Sequence, residues 1–514
     1  MKPQLFQSLK TYKKRDIIGD LLAGLMVAII ALPLSMALGI QTVPESLPIN
    51  GIQMGIITAI IAGFFISFLG GSKFQIGGPT AAFVAILYGY LADPEIGLYG
   101  VIIAGVIAGV VLILMGVLKL GRVMKFFPYP ITIGFTTGIG LTLIIGQIKD
   151  LCGLSGQAGA EAIEKISSYV QNIASFHLPT FFVGLIGFAI VFFLPKISKK
   201  IPAAFVAIIV CTLLTLLLNN VWSLNVATIG SRYGKITAKF NIIDFSAFTS
   251  IKIGKLIMPA IIIAFLCAIE SLLSATVASG MTGTTFDANQ ELIGQGVANI
   301  FSLFFGGLPA TGAIARTVAG IENGAKSPLT GVFHALFMLI MYFLLMGVVQ
   351  FIPMAVFASI LMGVAINMSR FKLFFKLFKF GGKDVAVLIF SCIITVALDL
   401  TYGVIGGLIL ALILNIKSFA NPVKIQIDEA TKVVTVSGCL FFGNANKLID
   451  LISKELGDQK ELVLDFSKVI SIDQTALEKL IRFNASLVSQ NKKITITNCN
   501  SKTDSRIQQF FNVI

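Results

Sequence analysis

The 514-residue chain is 56% hydrophobic and only 12% charged, with a mean hydropathy of +0.91. Soluble proteins carry about 25% charged and about 45–50% apolar residues, so an ordinary soluble enzyme is excluded and a polytopic membrane protein is predicted. The net charge of +14 lies in short clusters between apolar runs, which argues against a nucleic-acid partner. The six Cys form no CxxC pair and there are only two His, so we expect no disulfide framework and no metal site.

In chain order, the sequence shows apolar runs that can cross a bilayer as helices. They lie at about 17–40, 52–70, 97–118, 128–148, 178–195, 202–219, 255–279, 291–306, 327–350, 352–367, 384–399 and 402–418. Two shorter runs, at 79–92 and 310–323, each follow a Gly-rich break. Counting both, we predict about 14 transmembrane segments.

The basic residues of the loops predict the orientation of the chain. Clusters at 10–15, 119–125, 196–200 and 370–383 all fall on one side of the membrane, which is the cytoplasmic side by the positive-inside rule. We therefore expect a multi-pass protein of the cell membrane with both termini in the cytoplasm. The loop 219–255 carries five basic residues on the predicted outside, which a long loop tolerates.

The charge density predicts two domains. From residue 421 onward, 12 Lys or Arg and 10 Asp or Glu stand among 94 residues, a soluble density, whereas the first 420 residues are about 10% charged. We predict a membrane domain over 1–420 and a small cytoplasmic domain over 421–514.

The two Gly-rich breaks indicate an internal repeat. GGPT at 77–80 lies in the third segment and GGLPAT at 306–311 in the tenth, seven segments later. An odd number of segments inverts the second copy, and matching interrupted helices in two halves mark a transporter binding site near the midplane. The alternative is two ordinary Gly/Pro kinks.

Glu270 follows nine apolar residues, and Ser274 lies one helical turn later on the same face. A membrane-buried carboxylate with a nearby hydroxyl can carry a proton or bind Na⁺. The alternative is a Glu that a neighbouring helix holds for packing.

Arg316 lies near the start of the tenth segment, and Thr80, Ala81 and Ala82 hold the equivalent place in the third. Two helix N-termini aimed at one point present free N–H groups and positive dipole ends, which favour an anion. Arg316 adds a full charge there, unless it pairs with Glu270 or Glu322 instead. In the first segment Pro33 loosens the helix, so that Ser35 and Met36 can face the same site. A simple Pro kink is the alternative.

Four motifs resemble the sulfate permease (SulP) family of anion transporters. They are LPLSMA at 32–37, GGPTAA at 77–82, AIESLLS at 268–274 and GLPATGAIART at 307–317, and the likeness covers nearly the whole chain. The resemblance implies fourteen segments as two inverted sevens, with a core (segments 1–4 and 8–11) that moves against a gate (5–7 and 12–14). It places the anion at the first segment near Ser35 and Met36, the third near Thr80 and Ala81, and the tenth near Ala315 and Arg316. It places ion coupling on Glu270 and Ser274. Relatives with Asp and Thr at this pair couple to Na⁺, so Glu and Ser favour protons.

The last domain alternates predicted strands (433–438, 461–467 and 493–497) with an amphipathic helix at 475–483, which predicts a small α/β domain. LDFSKVISIDQTAL at 464–477 resembles a STAS domain, the fold of bacterial anti-sigma-factor antagonists. Their phosphoacceptor hydroxyl falls on Thr475, a candidate regulatory residue, although the usual DSSG motif reads DQTA here. We expect a docking and assembly module that binds a cytoplasmic protein, in a homodimer.

The sequence therefore predicts a secondary active transporter, not an enzyme, that carries sulfate or a similar small inorganic or carboxylate anion through the bilayer with protons. No cofactor is expected beyond the co-transported H⁺, or Na⁺ in the alternative. A dicarboxylate transporter, a Na⁺-coupled bicarbonate transporter and an uncoupled anion channel or exchanger remain open.

Overall fold

The structure is a computed structural model of the 514-residue chain. It describes residues 2–47, 49–121, 128–156, 162–198, 201–234, 236–240, 253–369, 371–378, 382–398, 400–416, 423–427, 433–456, 461–488 and 492–498. Several sequence predictions fall outside these residues. They are the domain boundary at 420/421 and, in the basic clusters, Arg122, Lys125, Lys199, Lys200, Arg370 and Lys379.

Apolar α-helices make up most of the described chain. In order they are α1 (Gln4–Leu9), α2 (Asp16–Thr42), α3 (Gly51–Leu69), α4 (Ala81–Ala92), α5 (Gly97–Val117), α6 (Tyr129–Cys152), α7 (Ala162–Gln171), α8 (Leu178–Ile197), α9 (Ala203–Trp222), α10 (Ile229–Tyr233), α11 (Ile253–Thr282), α12 (Ala288–Phe304), α13 (Ile314–Glu322), α14 (Leu329–Val349), α15 (Met354–Met368), α16 (Phe371–Leu377), α17 (Gly382–Ala397) and α18 (Leu400–Leu414). Each of the fourteen predicted segments contains one of them: α2–α6, α8, α9, α11–α15, α17 and α18. Within the described residues, nine helical stretches are long and apolar enough to cross a membrane. The predicted class, a polytopic helical membrane protein with a small α/β domain, is confirmed.

Two short strands join the two interrupted segments. β1 (Gly77–Gly78) precedes α4, and β2 (Thr311–Gly312) precedes α13. The strands pair antiparallel, with Gly77 opposite Gly312 and Gly78 opposite Thr311. The two short helices therefore begin beside the same strand pair.

Small residues let α2 and α3 approach at backbone distance, as is common between membrane helices. A Cβ on Gly39 would lie 2.0 Å from the Gly51 carbonyl oxygen, and one on Gly55 would lie 2.1 Å from the carbonyl oxygen of Ser35. α3 begins where the Asn50 side chain accepts the N–H groups of its first turn. The close approach of α3 at Gly55 fixes the part of α2 that carries Ser35.

The chain divides into two compact units, Met1–Met124 with Ile139–Met368, and Lys125–Gly138 with Ser369–Ile514. The second unit contains a four-stranded sheet with two helices. Its elements are β3 (Lys424–Ile427), β4 (Val433–Leu440), α19 (Ala445–Leu456), β5 (Glu461–Ile472), α20 (Gln474–Val488) and β6 (Lys493–Thr497). The strand order is β3-β4-β5-β6, with β3/β4 antiparallel and the other two pairs parallel. β5 is longer than predicted, and β3 and α19 were not predicted.

Candidate functional site

Arg316 lies in the first turn of α13 and is fully buried. Its Nη2 donates a hydrogen bond of 3.0 Å to Ser35 Oγ, and its Nη1 donates one of 3.1 Å to the Gly77 carbonyl oxygen. The Ser35 hydroxyl in turn donates to the Ala31 carbonyl oxygen over 2.6 Å, beside Pro33. The structure thus joins the predicted site residues of the first and tenth segments to the strand that precedes α4.

Gly78 leaves the space that the guanidinium occupies. Its φ of +148° lies in the region that favours glycine. A Cβ at this position would lie 1.8 Å from Arg316 Nη1. The second glycine of the GGPT motif is therefore required both by the backbone and by the buried arginine.

The first turns of α4 and α13 have no side-chain cap. Their N-cap residues, Thr80 and Ala313, make no side-chain capping hydrogen bond. The first N–H groups of a helix have no partner within the helix and carry a partial positive charge. Within the described residues, Thr80 Oγ1 and Arg316 Nε are also buried without a hydrogen-bond partner. The Thr80 hydroxyl follows β1 and the Arg316 Nε follows β2, so the strand pair carries unused hydrogen-bond donors that a small anion could accept.

Ala81 and Ala315 lie in the first turns of these two helices and have the smallest side chain with a Cβ. Ala81 is buried, at 6% exposure, whereas Ala315 is exposed. Met36, which was predicted beside Ser35, is 1% exposed and lines an apolar crevice against α9 and α14.

Glu270 lies in the middle of α11 and is 8% exposed. Within the described residues, its carboxylate accepts no hydrogen bond and forms no ion pair. Ser274 is buried and its hydroxyl donates to Thr317 Oγ1 of α13 over 3.3 Å. The coupling candidates therefore lie on the helix that packs against α13.

Among the described residues, Arg316 forms no ion pair with Glu270 or Glu322, the two partners that charge alone suggests. Its hydrogen bonds go to a neutral hydroxyl and a carbonyl oxygen instead. The guanidinium charge is thus not neutralised by a carboxylate, which leaves its field available to an anion.

Several polar residues that sequence reasoning missed hold the strand pair in place. Ser271 Oγ accepts the Gly312 N–H over 3.0 Å, and the Ser271 carbonyl oxygen accepts Gln75 Nε2 over 2.9 Å. The Asn299 side chain donates to the Ala310 carbonyl oxygen over 2.9 Å and accepts the Ala310 N–H over 2.8 Å. Asn299 was detectable, because an amide inside a predicted apolar segment needs partners.

Asp20 is a fully buried carboxylate that was also missed. It accepts hydrogen bonds from the N–H groups of Lys326 and Ser327 (2.6 and 3.0 Å) and from the hydroxyls of Ser327, Thr330 and Tyr12 (2.6 Å each). Because it holds the connection between α13 and α14 against α2, Asp20 acts as a structural anchor.

Glu291 in α12 is the other buried acid near the site. Its carboxylate accepts the N–H groups of Gly71 and Ser72 over 2.9 and 3.0 Å and the Gln295 side-chain amide over 2.8 Å. Both Asp20 and Glu291 are thus held by several donors, whereas Glu270 has none among the described residues.

Thr475 lies in the first turn of α20, and its hydroxyl accepts the N–H of Tyr129 at the start of α6 over 2.8 Å. The preceding residue makes a second contact of this kind: the Gln474 N–H donates to Asp384 Oδ2 in the first turn of α17 over 3.0 Å. The candidate regulatory hydroxyl is therefore engaged with a membrane helix of the same compact unit. Among the described residues no group of three or more His, Cys, Asp or Glu could hold a metal ion.

Comparison with known protein families gives two matches. The model described as the sulfate permease family matches residues 17–391, and the model described as the STAS domain matches residues 422–510. The chain is 36% identical to the putative sulfate transporter YvdB of Bacillus subtilis, over 96% of this chain and 93% of that protein. It is 28% identical to the bicarbonate transporter BicA of a Picosynechococcus species, over 96% of this chain and 91% of that one.

Solved structures have the same fold. The transmembrane domain of a cyanobacterial bicarbonate transporter, BicA, aligns with a TM-score of 0.67 and 27% identity, over 77% of this chain and 98% of that chain. The murine anion transporter Slc26a9 in its inward-facing state aligns with a TM-score of 0.69 and 19% identity, over 99% of this chain and 90% of that chain.

Proposed function

Because the chain belongs to the sulfate permease family, whose members are anion transporters and not enzymes, we propose that it takes up sulfate or a similar small anion together with protons. Uptake proceeds by alternating access across the cell membrane, with both termini in the cytoplasm. The proposed anion site comprises Ser35, Thr80, Ala81, Ala315 and Arg316, with Met36 packed behind Ser35.

One observation carries this proposal. Arg316 is buried without a carboxylate partner, and its Nε and the Thr80 hydroxyl are donors without acceptors in the described part of the chain. A buried charge and unused donors are costly unless a ligand satisfies them. A small anion between the starts of α4 and α13 would do so, with backbone N–H groups of both helices as further donors.

Met36 has a different place in this site. Its thioether supplies no donor, and it lines the apolar crevice rather than the helix starts. We assign Met36 a packing role: it lies behind Ser35 and keeps the Ser35 hydroxyl directed toward Arg316.

Glu270 is the proposed carrier of the co-transported proton. A carboxylate buried without donors is stabilised by protonation or by a cation, because burial disfavours its charged form. The Ser274 hydroxyl donates its proton to Thr317, so its oxygen keeps lone pairs that a cation can bind. Na⁺ at Glu270 is therefore the alternative that the gradient experiment tests.

Uptake into proteoliposomes tests the substrate and the coupling together. Purified protein is given sulfate, bicarbonate, fumarate or chloride, with a proton gradient, a Na⁺ gradient or neither. We expect sulfate accumulation that requires the proton gradient. Accumulation of bicarbonate would favour the function named for the BicA relatives. Accumulation driven by Na⁺ would favour Na⁺ coupling, and flux insensitive to both gradients would favour a channel or exchanger.

Glu270→Gln isolates the coupling step. It should abolish proton-driven accumulation while anion exchange persists, because the amide keeps the shape but cannot release a proton. Glu322→Gln is the matched control, since Glu322 is an exposed acid at the end of α13. Full proton-driven uptake by Glu270→Gln would refute this role.

We further propose that the membrane domain comprises residues 1–420 and the STAS domain residues 421–514, and that the protein is a homodimer. In this proposal the STAS domain docks a cytoplasmic protein and Thr475 is its regulatory position. The contact between the Thr475 hydroxyl and Tyr129 supports a link from this domain to α6.

A further inference from the structure

A crevice of about 330 Å³ lies between α2, α9 and the end of α14, apart from the helix starts that form the anion site. Pro33 and Met36 of α2 line it, together with side chains from Phe205 to Leu216 of α9 and from Leu345 to Ile352 at the end of α14. All of these residues belong to the first compact unit.

The lining excludes a polar ligand. Every lining side chain is aliphatic or aromatic or carries a thioether, except that of Thr212. A cavity with such walls offers water or an anion almost no hydrogen bonds and stays dry. An empty cavity of this size would also forfeit the dispersion contacts that its walls can make.

The mouth of the crevice faces the bilayer. Its rim residues Ile209 and Leu213 of α9 are 45% and 63% exposed, and both lie on a helix long and apolar enough to span the membrane. The floor is closed, because Met36 and Val349 are only 1% and 3% exposed. The hydrocarbon of the bilayer is therefore the medium that enters the crevice from its mouth.

We propose that this crevice is a binding site for one acyl chain of a membrane lipid. The chain enters past Ile209 and Leu213 and ends against Met36. Its occupant is a linear hydrocarbon because the lining residues of α9 run over three helical turns of one face, from Phe205 to Leu216.

The bound chain also controls transport, an extension that rests on the proposed function. Met36 neighbours Ser35, which accepts the hydrogen bond from Arg316, so the floor of the crevice lies behind the anion site. Any movement that brings α9 closer to α2 must expel the chain, and any movement that separates them admits it.

Photolabelling tests the binding site without any substrate. The full-length protein is reconstituted in phosphatidylethanolamine and phosphatidylglycerol vesicles that contain a trace of phospholipid with a diazirine on one acyl chain. After illumination, mass spectrometry locates the label. We expect it on Met36, which lipid at the outer surface cannot reach because its side chain is buried. Label confined to exposed residues such as Leu217 and Trp222 would overturn the proposal.

Two neighbouring substitutions sharpen the test. Ile209→Trp fills the crevice, whereas Val210→Trp is the matched control, because Val210 is similarly exposed (39%) and does not line the crevice. We expect Ile209→Trp to reduce labelling of Met36 at least fivefold and Val210→Trp to leave it unchanged. Equal labelling of Met36 in both variants would contradict the site. Leu213→Trp repeats the test at the other side of the mouth if Ile209→Trp does not fold.

Uptake by the same variants tests the control of transport. We expect Ile209→Trp to slow anion uptake at least fivefold while Val210→Trp transports normally. If Ile209→Trp loses Met36 labelling but keeps normal uptake, the proposed control of transport is refuted and the lipid-binding site stands. The labelling result stands whatever anion the protein carries, so its failure can be distinguished from failure of the proposed function.

Discussion

The guanidinium of Arg316 donates its Nη2 hydrogen bond to the hydroxyl of Ser35, 281 residues earlier in the chain and 3.0 Å away. This contact joins the start of α13 to the middle of α2. Its acceptor is neutral, so the contact orients the guanidinium without neutralising its charge. Ser35 therefore serves as a positioning residue for the buried cation.

Ser35→Ala should weaken transport. Removing the acceptor leaves Nη2 of a buried guanidinium unpaired, and a hydrogen bond to a charged group contributes about 1.5–3 kcal/mol. We expect the apparent KM for the anion to rise about tenfold. Thr42→Ala is the control, since the buried Thr42 hydroxyl on the same helix donates only to the Leu38 carbonyl oxygen. An unchanged KM in the Ser35 variant, measured by initial rates of uptake, would contradict the role of Ser35.

Gly78→Ala should unfold or displace the site. The added Cβ would lie 1.8 Å from Arg316 Nη1, on a residue whose φ is +148°. We expect the thermal unfolding midpoint and uptake to fall together. Gly89→Ala, in the interior of α4 with no atom within 4 Å of its new Cβ, should raise stability by about 0.5–1 kcal/mol. A Gly78 variant as stable and active as the parent would show that the guanidinium does not occupy this position.

The order of the membrane helices could be predicted because each apolar run signals its own helix, without information from distant residues. The starts of α4 and α13 could also be predicted from nearby residues, because Gly and Pro residues precede both helices. The partners of Arg316 could not be predicted, because nothing near residue 316 in the sequence indicates residue 35 or residue 77. The sequence offered Glu270 and Glu322 as partners on charge alone, and the structure shows a hydroxyl and a carbonyl oxygen.

Asp20 shows a second limit of sequence reasoning. It lies five residues into α2, where an acid normally lies at the membrane interface, yet it is fully buried under the connection between α13 and α14. Its burial depends on Ser327 and Thr330, which are distant in sequence. The partners of Arg232, in the long basic loop, are likewise distant in sequence: Glu45 follows α2, and Asp150 lies in the last turn of α6.

Arg232→Gln should destabilise the contacts of α10 with Glu45 and with the last turn of α6. Arg232 Nη1 donates to Asp150 Oδ1 over 2.7 Å, and Nη2 pairs with Glu45, to which Lys149 also lies within 3.5 Å. The Arg232 side chain is only 22% exposed. Its removal leaves Asp150 without its partner, so we expect a loss of about 1–3 kcal/mol in the free energy of unfolding.

Lys255→Gln is the control variant for the loss of stability expected in Arg232→Gln. Lys255 pairs with Glu95, but the two side chains are 47% and 65% exposed, and exposed pairs contribute little. Thermal unfolding of the purified variants is the measurement. Equal midpoints for the two variants would show that the Arg232 pairs carry no more stability than a surface pair.

Stability of the second unit should depend on the protonation of Asp473. Burial, with the Asp384 carboxylate beside it, raises the pKa of Asp473 from 3.8 to about 7, although the N–H groups of Ala476 and Phe442 and the charge of Lys479 act in the opposite direction. The folded state therefore favours the protonated acid. This contribution is complete below about pH 4 and is lost as the pH rises to about 7.

Asp473→Asn should remove that part of the pH dependence, because the amide stays neutral at every pH. Thermal unfolding of the full-length protein between pH 5 and pH 8 is the measurement. Asp450→Asn, at an exposed position of α19, should retain the parental slope. An identical slope in the Asp473 variant and the parent would place the titrating group elsewhere.

The central claim is that the anion lies between the starts of α4 and α13, in the field of Arg316. Titration of uptake with the transported anion, on Arg316→Ala, Arg316→Lys and Ala315→Leu, tests it most directly. Arg316→Ala should lose high affinity because the charge is absent, and Arg316→Lys should recover it only in part because an ammonium cannot reproduce the paired contacts to Ser35 and Gly77. Ala315→Leu should block uptake by volume with the charge intact. Parental affinity in all three folded variants would contradict the account and place the site elsewhere.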